Sequence, residues 1–163
     1  MIHDSAEDFL AALPDGHALA GLDLGTQTIG VAVSDTFLSV ATPLETIKRR
    51  KFTQDADALA DMLRRRQIGG LVLGLPRNMD GTEGPRCQAT RAFARNLIQK
   101  TDLSLPITFW DERLSTVAAE RALLEADTSR KRRAEVIDHV AAAYILQGML
   151  DRLQTIRAER DHS

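Results

Sequence analysis

Two short apolar segments separated by a four-residue turn constrain the fold more than any other feature of this sequence. Residues 18–24 and 29–34 are rich in apolar and β-branched side chains, which predicts two strands. The turn between them, residues 25–28, is too short for a crossover connection, so the two strands must be antiparallel neighbours. A third strand is predicted over residues 38–47, at a sheet edge because Pro43 cannot donate a ladder hydrogen bond.

After residue 52 the pattern changes to alternating helices and strands. Apolar residues at helical spacing predict helices over residues 52–68, 84–100, 115–125 and 133–153. Strands are predicted near residues 71–73 and 106–110, and the first of these lacks polar alternation, which favours a central position covered on both faces. The order β-β-β-α-β-α-β-α-α predicts an α/β domain, RNase H-like, with a mixed five-stranded sheet flanked by helices.

The chain length of 163 residues suits one domain with a substantial core. We predict an N-terminal extension over residues 1–17, an RNase H-like domain over residues 18–153, and a flexible C-terminal tail over residues 154–163. No apolar run approaches the length of a membrane span, and the acidic N-terminal segment differs from a secretion signal. The single cysteine, Cys87, excludes an internal disulfide, so a cytoplasmic location without membrane contact is predicted.

Basic residues are clustered although the net charge is −2. The clusters are residues 48–51, 64–66 and 130–133. Each can bind phosphate groups locally, since screening confines the influence of a charge to about 8–10 Å. Each can equally be a solvated helix end, and the sequence leaves both interpretations open.

Three acidic residues lie where apolar side chains are expected. Asp23 is on the first strand, pointing opposite to its apolar neighbours, and Glu112 follows the last strand, at the end where ligands gather in α/β sheets. Its neighbour Asp111 is an alternative to Glu112 for the inward position. Asp138 shares one helix face with four apolar residues, Ala141, Ala142, Ile145 and Met149.

These three carboxylates can converge only if their mutual repulsion is offset. A hard divalent cation bound by oxygen ligands provides that compensation. Such an ion can activate water and neutralise charge on a phosphate that is being cleaved. The sequence therefore predicts a metal site for phosphodiester hydrolysis formed by Asp23, Glu112 and Asp138.

Four segments of the chain resemble the YqgF/RuvX family, namely residues 21–35, 72–84, 111–120 and 137–151. This family is similar to RuvC Holliday-junction resolvases and is identified as a pre-16S rRNA nuclease. The resemblance implies that Asp23, Glu112 and Asp138 are catalytic, with Mg²⁺ or Mn²⁺ as cofactor. It also implies a role in trimming the 5′ end of 16S rRNA during ribosome biogenesis. RuvC resolvases carry a further carboxylate one turn after the helix acid, where this chain has Ala141, so a two-metal site and junction resolution are not implied.

Five polar residues are candidates for substrate binding. Arg77 and Asn78 lie in a polar loop that can contact phosphate or base edges, or can simply connect two elements. Arg113 can contact the scissile phosphate through two hydrogen bonds, or can pair with Asp111. Lys131 and Arg132 precede Asp138 by about two helical turns and are predicted to contact the phosphate backbone.

Three other functions stay open from the sequence. The first is a DNA nuclease acting on branched substrates, which generally requires a dimer, and the chain is predicted to be a monomer or homodimer. The second follows from residues 23–26, which resemble the phosphate loop of actin-like kinases and ATPases, although those enzymes use two such lobes. The third is a non-catalytic module that binds nucleic acid or transcription factors. The preferred partner is nucleic acid, either pre-16S rRNA or branched DNA.

Overall fold

The computed structural model describes residues 1–114 and 130–161, with side chains for residues 1–114 and 139–161. The helices in this part of the chain are α1 (Ala6–Ala12), α2 (Phe52–Arg65), α3 (Pro85–Lys100) and α4 (Arg130–Asp161). The strands are β1 (Ile2–His3), β2 (Ala18–Leu24), β3 (Thr28–Ser34), β4 (Ala41–Lys48), β5 (Ile68–Leu75) and β6 (Ile107–Asp111). A short 3₁₀ helix, Glu112–Leu114, follows β6.

The strands form one mixed sheet in the order β1-β6-β5-β2-β3-β4. Strands β2 and β3 form the predicted antiparallel hairpin, and β4 lies at the predicted edge. Strand β5 is buried along its whole length between β2 and β6, which are both parallel to it. The α/β fold with a mixed sheet is therefore confirmed.

Helices cover both faces of the sheet, and each face has its own apolar core. Leu22 and Leu73 face α2 and α3, whereas Val72 and Trp110 face α1 and α4. Helix α4 lies very close to the sheet, because a Cβ added to Gly21 would stand 2.7 Å from the Leu146 Cβ atom. The absence of a side chain at that position permits this close approach.

The prediction of five strands is wrong by one strand. Residues 2 and 3 form β1, which pairs in parallel with β6 at the edge of the sheet. The N-terminal segment also contributes α1, whose Phe9 is fully buried against the core beneath α4. A two-residue strand has too few residues to show alternation, so only the pairing with β6 reveals it.

The end of the chain also differs from the prediction. Helix α4 continues to Asp161, and Ile156 is only 3% exposed, so residues 154–161 are not a flexible tail. The same helix begins at Arg130 rather than at residue 133. The predicted helix over residues 115–125 lies outside the described residues.

Within the described residues, no helix is both long enough and apolar enough to cross a membrane.

Candidate active site

Asp23 is a buried carboxylate near the C-terminal end of a central strand. It lies on β2 and is 4% exposed. Leu22 faces α2 and α3, so the alternation of the strand turns Asp23 toward α4. Burying a carboxylate in an apolar layer costs free energy unless hydrogen bonds or a cation compensate its charge. The position of Asp23 therefore fits a site that binds a cation.

Glu112 reaches the same place from the end of β6. The pairing of Leu22 with Leu73 puts the next residues, Asp23 and Gly74, side by side on β2 and β5. Neighbouring strands lie about 4.8 Å apart. A Cβ added to Gly74 would stand 3.3 Å from the Glu112 Cδ atom, so the Glu112 carboxyl group occupies the space above this glycine. The Glu112 carboxyl group therefore lies over β5, one strand away from Asp23.

Helix α4 crosses the sheet at the level of Asp23. Asp23 pairs with Gly30, and Gly30 pairs with Thr46 on the neighbouring strand. The Thr46 hydroxyl lies 2.9 Å from the Nδ1 atom of His139 on α4. His139 directly follows Asp138 in sequence, so the backbone of α4 passes over this row of residues. The side chain of Asp138 itself lies outside the described side chains.

Asp23 and Glu112 are the two predicted metal ligands whose side chains the structure describes. No group of three His, Cys, Asp or Glu residues positioned for a metal ion occurs among the described residues. Both described acids offer oxygen ligands only, which suits Mg²⁺ or Mn²⁺. Ala141, which stands where RuvC resolvases are expected to carry an acid, is 2% exposed and belongs to the apolar core.

Asp111, the alternative to Glu112, is held by an arginine instead. The Nε and Nη2 atoms of Arg113 donate to the Asp111 carboxylate at 3.1 and 2.7 Å, and the Arg113 backbone N–H donates at 3.0 Å. These hydrogen bonds hold the pKa of Asp111 below its ordinary value, although burial acts in the opposite direction. Because Asp111 is neutralised in this way, Glu112 is the better candidate metal ligand.

Arg77, Glu83, Arg91 and Asp111 form a network of ion pairs beside the end of β6. Arg77 lies 3.2 Å from the Glu83 carboxylate and 3.9 Å from the Asp111 carboxylate. Arg91 donates two hydrogen bonds to Glu83, at 2.6 and 2.7 Å, and its guanidinium group stacks 4.9 Å from the centre of the Phe109 ring. The hydrogen bonds from Arg91 lower the pKa of Glu83.

Asn78 stabilises the turn of the same loop. Its Nδ2 atom donates to the Thr82 hydroxyl at 2.9 Å, and its backbone N–H donates to the Thr82 carbonyl at 2.9 Å. The Nη1 atom of Arg113 donates to the Met79 carbonyl at 3.4 Å, which ties this loop to the end of β6. Arg77, Asn78 and Arg113 are thus all bonded within the protein.

Some functional candidates escaped the sequence analysis, and others lie beyond the described side chains. Glu83 and Arg91 form an ion pair that organises the loop, although they are eight residues apart in sequence. No sequence motif shows this pairing, because it depends on the position of Arg91 along α3. The signal that could have found them is an acid before the N-terminus of α3 with an arginine two turns later. Lys131 and Arg132 lie in the first turn of α4, and their side chains are outside the described set.

Comparison with known proteins identifies the family. The family model described as "RuvX: Holliday junction resolvase" matches residues 17–152, which is most of the chain. The chain belongs to the RuvX family. The match begins one residue before the predicted nuclease domain and includes Asp23, Glu112 and Asp138.

Relatives of high sequence identity match nearly the whole length of the chain. A protein of Roseobacter denitrificans is 78% identical over 161 residues, covering 99% of each chain. One of Ruegeria sp. (strain TM1040) is 72% identical and covers 97% of this chain and 99% of its own. Both carry the name "Putative pre-16S rRNA nuclease".

A solved structure supports the fold independently of sequence. RuvC of T. thermophilus in complex with a Holliday junction substrate matches with a TM-score of 0.51, covering 84% of this chain and 96% of its own. The sequence identity is 12%, so this likeness supports the RNase H-like fold and no residue assignment.

Proposed function

We propose that the chain is a metal-dependent nuclease that hydrolyses phosphodiester bonds near the 5′ end of pre-16S rRNA. The observation that carries this proposal is the convergence of two acids. Asp23 is buried on β2, and the carboxyl group of Glu112 lies above the adjacent Gly74. Membership of the RuvX family and the names of the relatives supply the reaction class and the substrate.

In this proposal Asp23, Glu112 and Asp138 hold Mg²⁺ or Mn²⁺. When bound, the ion supplies an activated water and neutralises negative charge on the phosphate. Asp23 and Glu112 come from rigid strand ends, which fixes the ligands before substrate arrives. Arg113 keeps Asp111 neutralised, so that a further negative charge beside the site does not repel the phosphate backbone.

The proposed substrate contacts divide into two groups. Lys131 and Arg132 stay candidates for contact with backbone phosphates, because the first turns of α4 lead toward Asp138. Arg77, Asn78 and Arg113 hold the loop between β5 and α3 in shape, and their direct contact with substrate stays a prediction.

We further propose a cytoplasmic location, with the chain acting as a monomer or homodimer. Cys87 is buried and free, which agrees with a reducing compartment.

A second candidate function is cleavage of branched DNA. The description of the matching family names Holliday junction resolvases, and the RuvC neighbour was solved on a junction. Against this, the helix position expected to carry a further acid is the buried Ala141. Cleavage of a four-way DNA junction at a higher rate than the RNA substrate would favour this second function.

The decisive experiment is a cleavage assay on RNA that carries the 5′ region of the 16S precursor. We expect cleavage with Mg²⁺ or Mn²⁺, none with EDTA, and a loss of more than about a hundredfold in Asp23→Asn, because one metal-binding oxygen charge is removed. Asp57→Asn is the matched control, since it makes the same change on the exposed face of α2. Equal rates for wild type and Asp23→Asn would indicate a contaminating nuclease and would defeat the proposal.

A further inference from the structure

Arg49 is fixed against the turn of the β2–β3 hairpin. Its Nη1 atom donates to the Gly25 carbonyl at 2.6 Å, and its guanidinium carbon lies 5.8 Å from the centre of the Phe93 ring. Its backbone N–H donates to the Gln27 carbonyl at 2.8 Å. Two contacts therefore hold the guanidinium group of this exposed residue in one place, and its other N–H groups make no hydrogen bond with the described residues.

Arg86 stands opposite Arg49, in the first turn of α3. Both arginines line a small cavity of about 80 Å³, together with Gly25, Thr26 and Thr90. Arg86 and Thr26 are exposed. Two guanidinium groups and a hydroxyl thus face one recess beside the hairpin turn.

Within residues 1–114 and 139–161, no ion pair neutralises the positive charge of this surface. Among the described residues, no carboxylate pairs with either Arg49 or Arg86. Of the two acids nearest to Arg49 along the chain, Glu45 forms no ion pair with the described residues, and Asp55 is 3% exposed and accepts from the Arg50 backbone N–H at 3.0 Å. Three further basic residues, Lys48, Arg50 and Lys51, are exposed beside Arg49.

The surface adjoins the same end of β2 as Asp23, but it lies on the α3 side of the sheet, whereas Asp23 points toward α4. Gly25, which accepts from Arg49, follows Asp23 by two residues, or about 7 Å along a strand. A nucleic-acid strand presents a phosphate about every 3.4 Å along its axis, so a strand crossing Asp23 can present a phosphate two or three nucleotides away to Arg49. Arginine suits this contact because its planar fork matches phosphate oxygens.

We propose that Arg49 and Arg86 bind backbone phosphates of the nucleic-acid substrate, on the hairpin side of Asp23. This rests on the proposed nuclease function and adds a second contact surface to it. The contact is independent of base sequence, because arginine bound to phosphate reads no base edge. It sets the direction in which the strand leaves the acids, along the hairpin turn toward α3.

The test is equilibrium binding of a fluorescein-labelled RNA with the 16S precursor's 5′ region, in EDTA so that the proposed cleavage does not interfere. The variants are Arg49→Ala, Arg86→Ala and the double variant of the full chain. We expect the double variant to bind at least about tenfold more weakly at low salt. The slope of log K against log salt should become shallower by about one to two, since two phosphate contacts are lost.

Arg95→Ala is the matched control, because Arg95 is exposed on the same helix and lies about 14 Å farther from its start. A loss in Arg95→Ala equal to that of the double variant would overturn the proposal, as would a double variant with the wild-type salt slope. Arg86→Ala is expected to fold normally, because the Arg86 side chain makes no hydrogen bond or ion pair with the described residues. A loss of binding in this variant therefore reports a lost phosphate contact rather than misfolding. Wild-type RNA binding in EDTA, together with no cleavage of the same RNA in a separate assay with Mg²⁺ or Mn²⁺, would instead overturn the nuclease proposal alone.

Discussion

Two arginine-bearing regions flank the candidate acids, and they use arginine in opposite ways. On the loop side, Arg77, Arg91 and Arg113 are all bonded to Glu83 or Asp111. On the hairpin side, Arg49 and Arg86 have no carboxylate partner among the described residues. Closeness to the candidate active site therefore does not by itself make an arginine available to substrate. An arginine is available to bind a phosphate only when no carboxylate of the protein already pairs with its guanidinium group.

The acids between the two regions offer the largest expected effect. In Gly74→Ala the added Cβ would stand 2.5 Å from the Ile145 Cδ1 atom and 3.3 Å from the Glu112 Cδ atom, so both side chains must shift. We expect cleavage to fall by about tenfold to a hundredfold, because small displacements of reacting groups are costly. Overpacking should also cost about 1–3 kcal/mol of stability, measured by urea unfolding.

Gly84→Ala is the control for that substitution. Among the described residues its added Cβ would meet only the Asn78 Nδ2 atom, at an ordinary 3.7 Å, and the backbone angle φ of −87° suits alanine. This variant should keep wild-type cleavage. If Gly74→Ala also cleaved at the wild-type rate, Glu112 would not be the acid that acts beside Asp23.

Arg113→Ala tests the difference between the two regions directly. It removes the closest cationic partner of the Asp111 carboxylate, leaves Arg77 at 3.9 Å from it, and releases the loop at Met79. We expect cleavage to fall by about tenfold, since a misplaced charge and loop disturb positioning. The salt slope of RNA binding should stay at its wild-type value, whereas Arg49→Ala should lower it. A salt slope lowered equally by both variants would erase the distinction between the two regions.

The smallest expected effect is a pH dependence confined to the loop side. The pKa values of Glu83 and Asp111 are lowered mainly by hydrogen bonds from Arg91 and Arg113, so these groups stabilise the fold at pH values above their ordinary pKa values, near 4. Their contribution is lost as the pH falls below that range. The melting temperature of Glu83→Gln should therefore lie below the wild-type value at pH 6, and the gap should narrow toward pH 3.

Arg86→Ala provides the contrast for that experiment. Arginine keeps its charge throughout this range, so the difference between Arg86→Ala and wild type should not change between pH 6 and pH 3. Melting curves in matched buffers would measure both differences. A constant gap for Glu83→Gln would show that its ion pairs add no pH-dependent stability.

Much of the fold follows from local sequence. The short turn after β2 requires a hairpin, Pro43 favours an edge strand, and the uninterrupted apolar run in β5 indicates a central one. These inferences succeed because each depends on residues that are neighbours in sequence. The strand β1 could not be found in this way, since its two residues become a strand only by pairing with β6, more than a hundred residues away.

The candidate site likewise combines features that are visible in local sequence with features that depend on contacts between distant residues. The local sequence pattern is enough to single out Asp23, Glu112 and Asp138, because an acid among apolar residues or at a strand end is visible there. It does not show that Glu112 rather than Asp111 lies over Gly74, or which arginines already form ion pairs, and these features become visible only in the folded chain. The physical reason is that ion pairs and close packing depend on distances in space, and residues far apart in sequence acquire those distances only on folding.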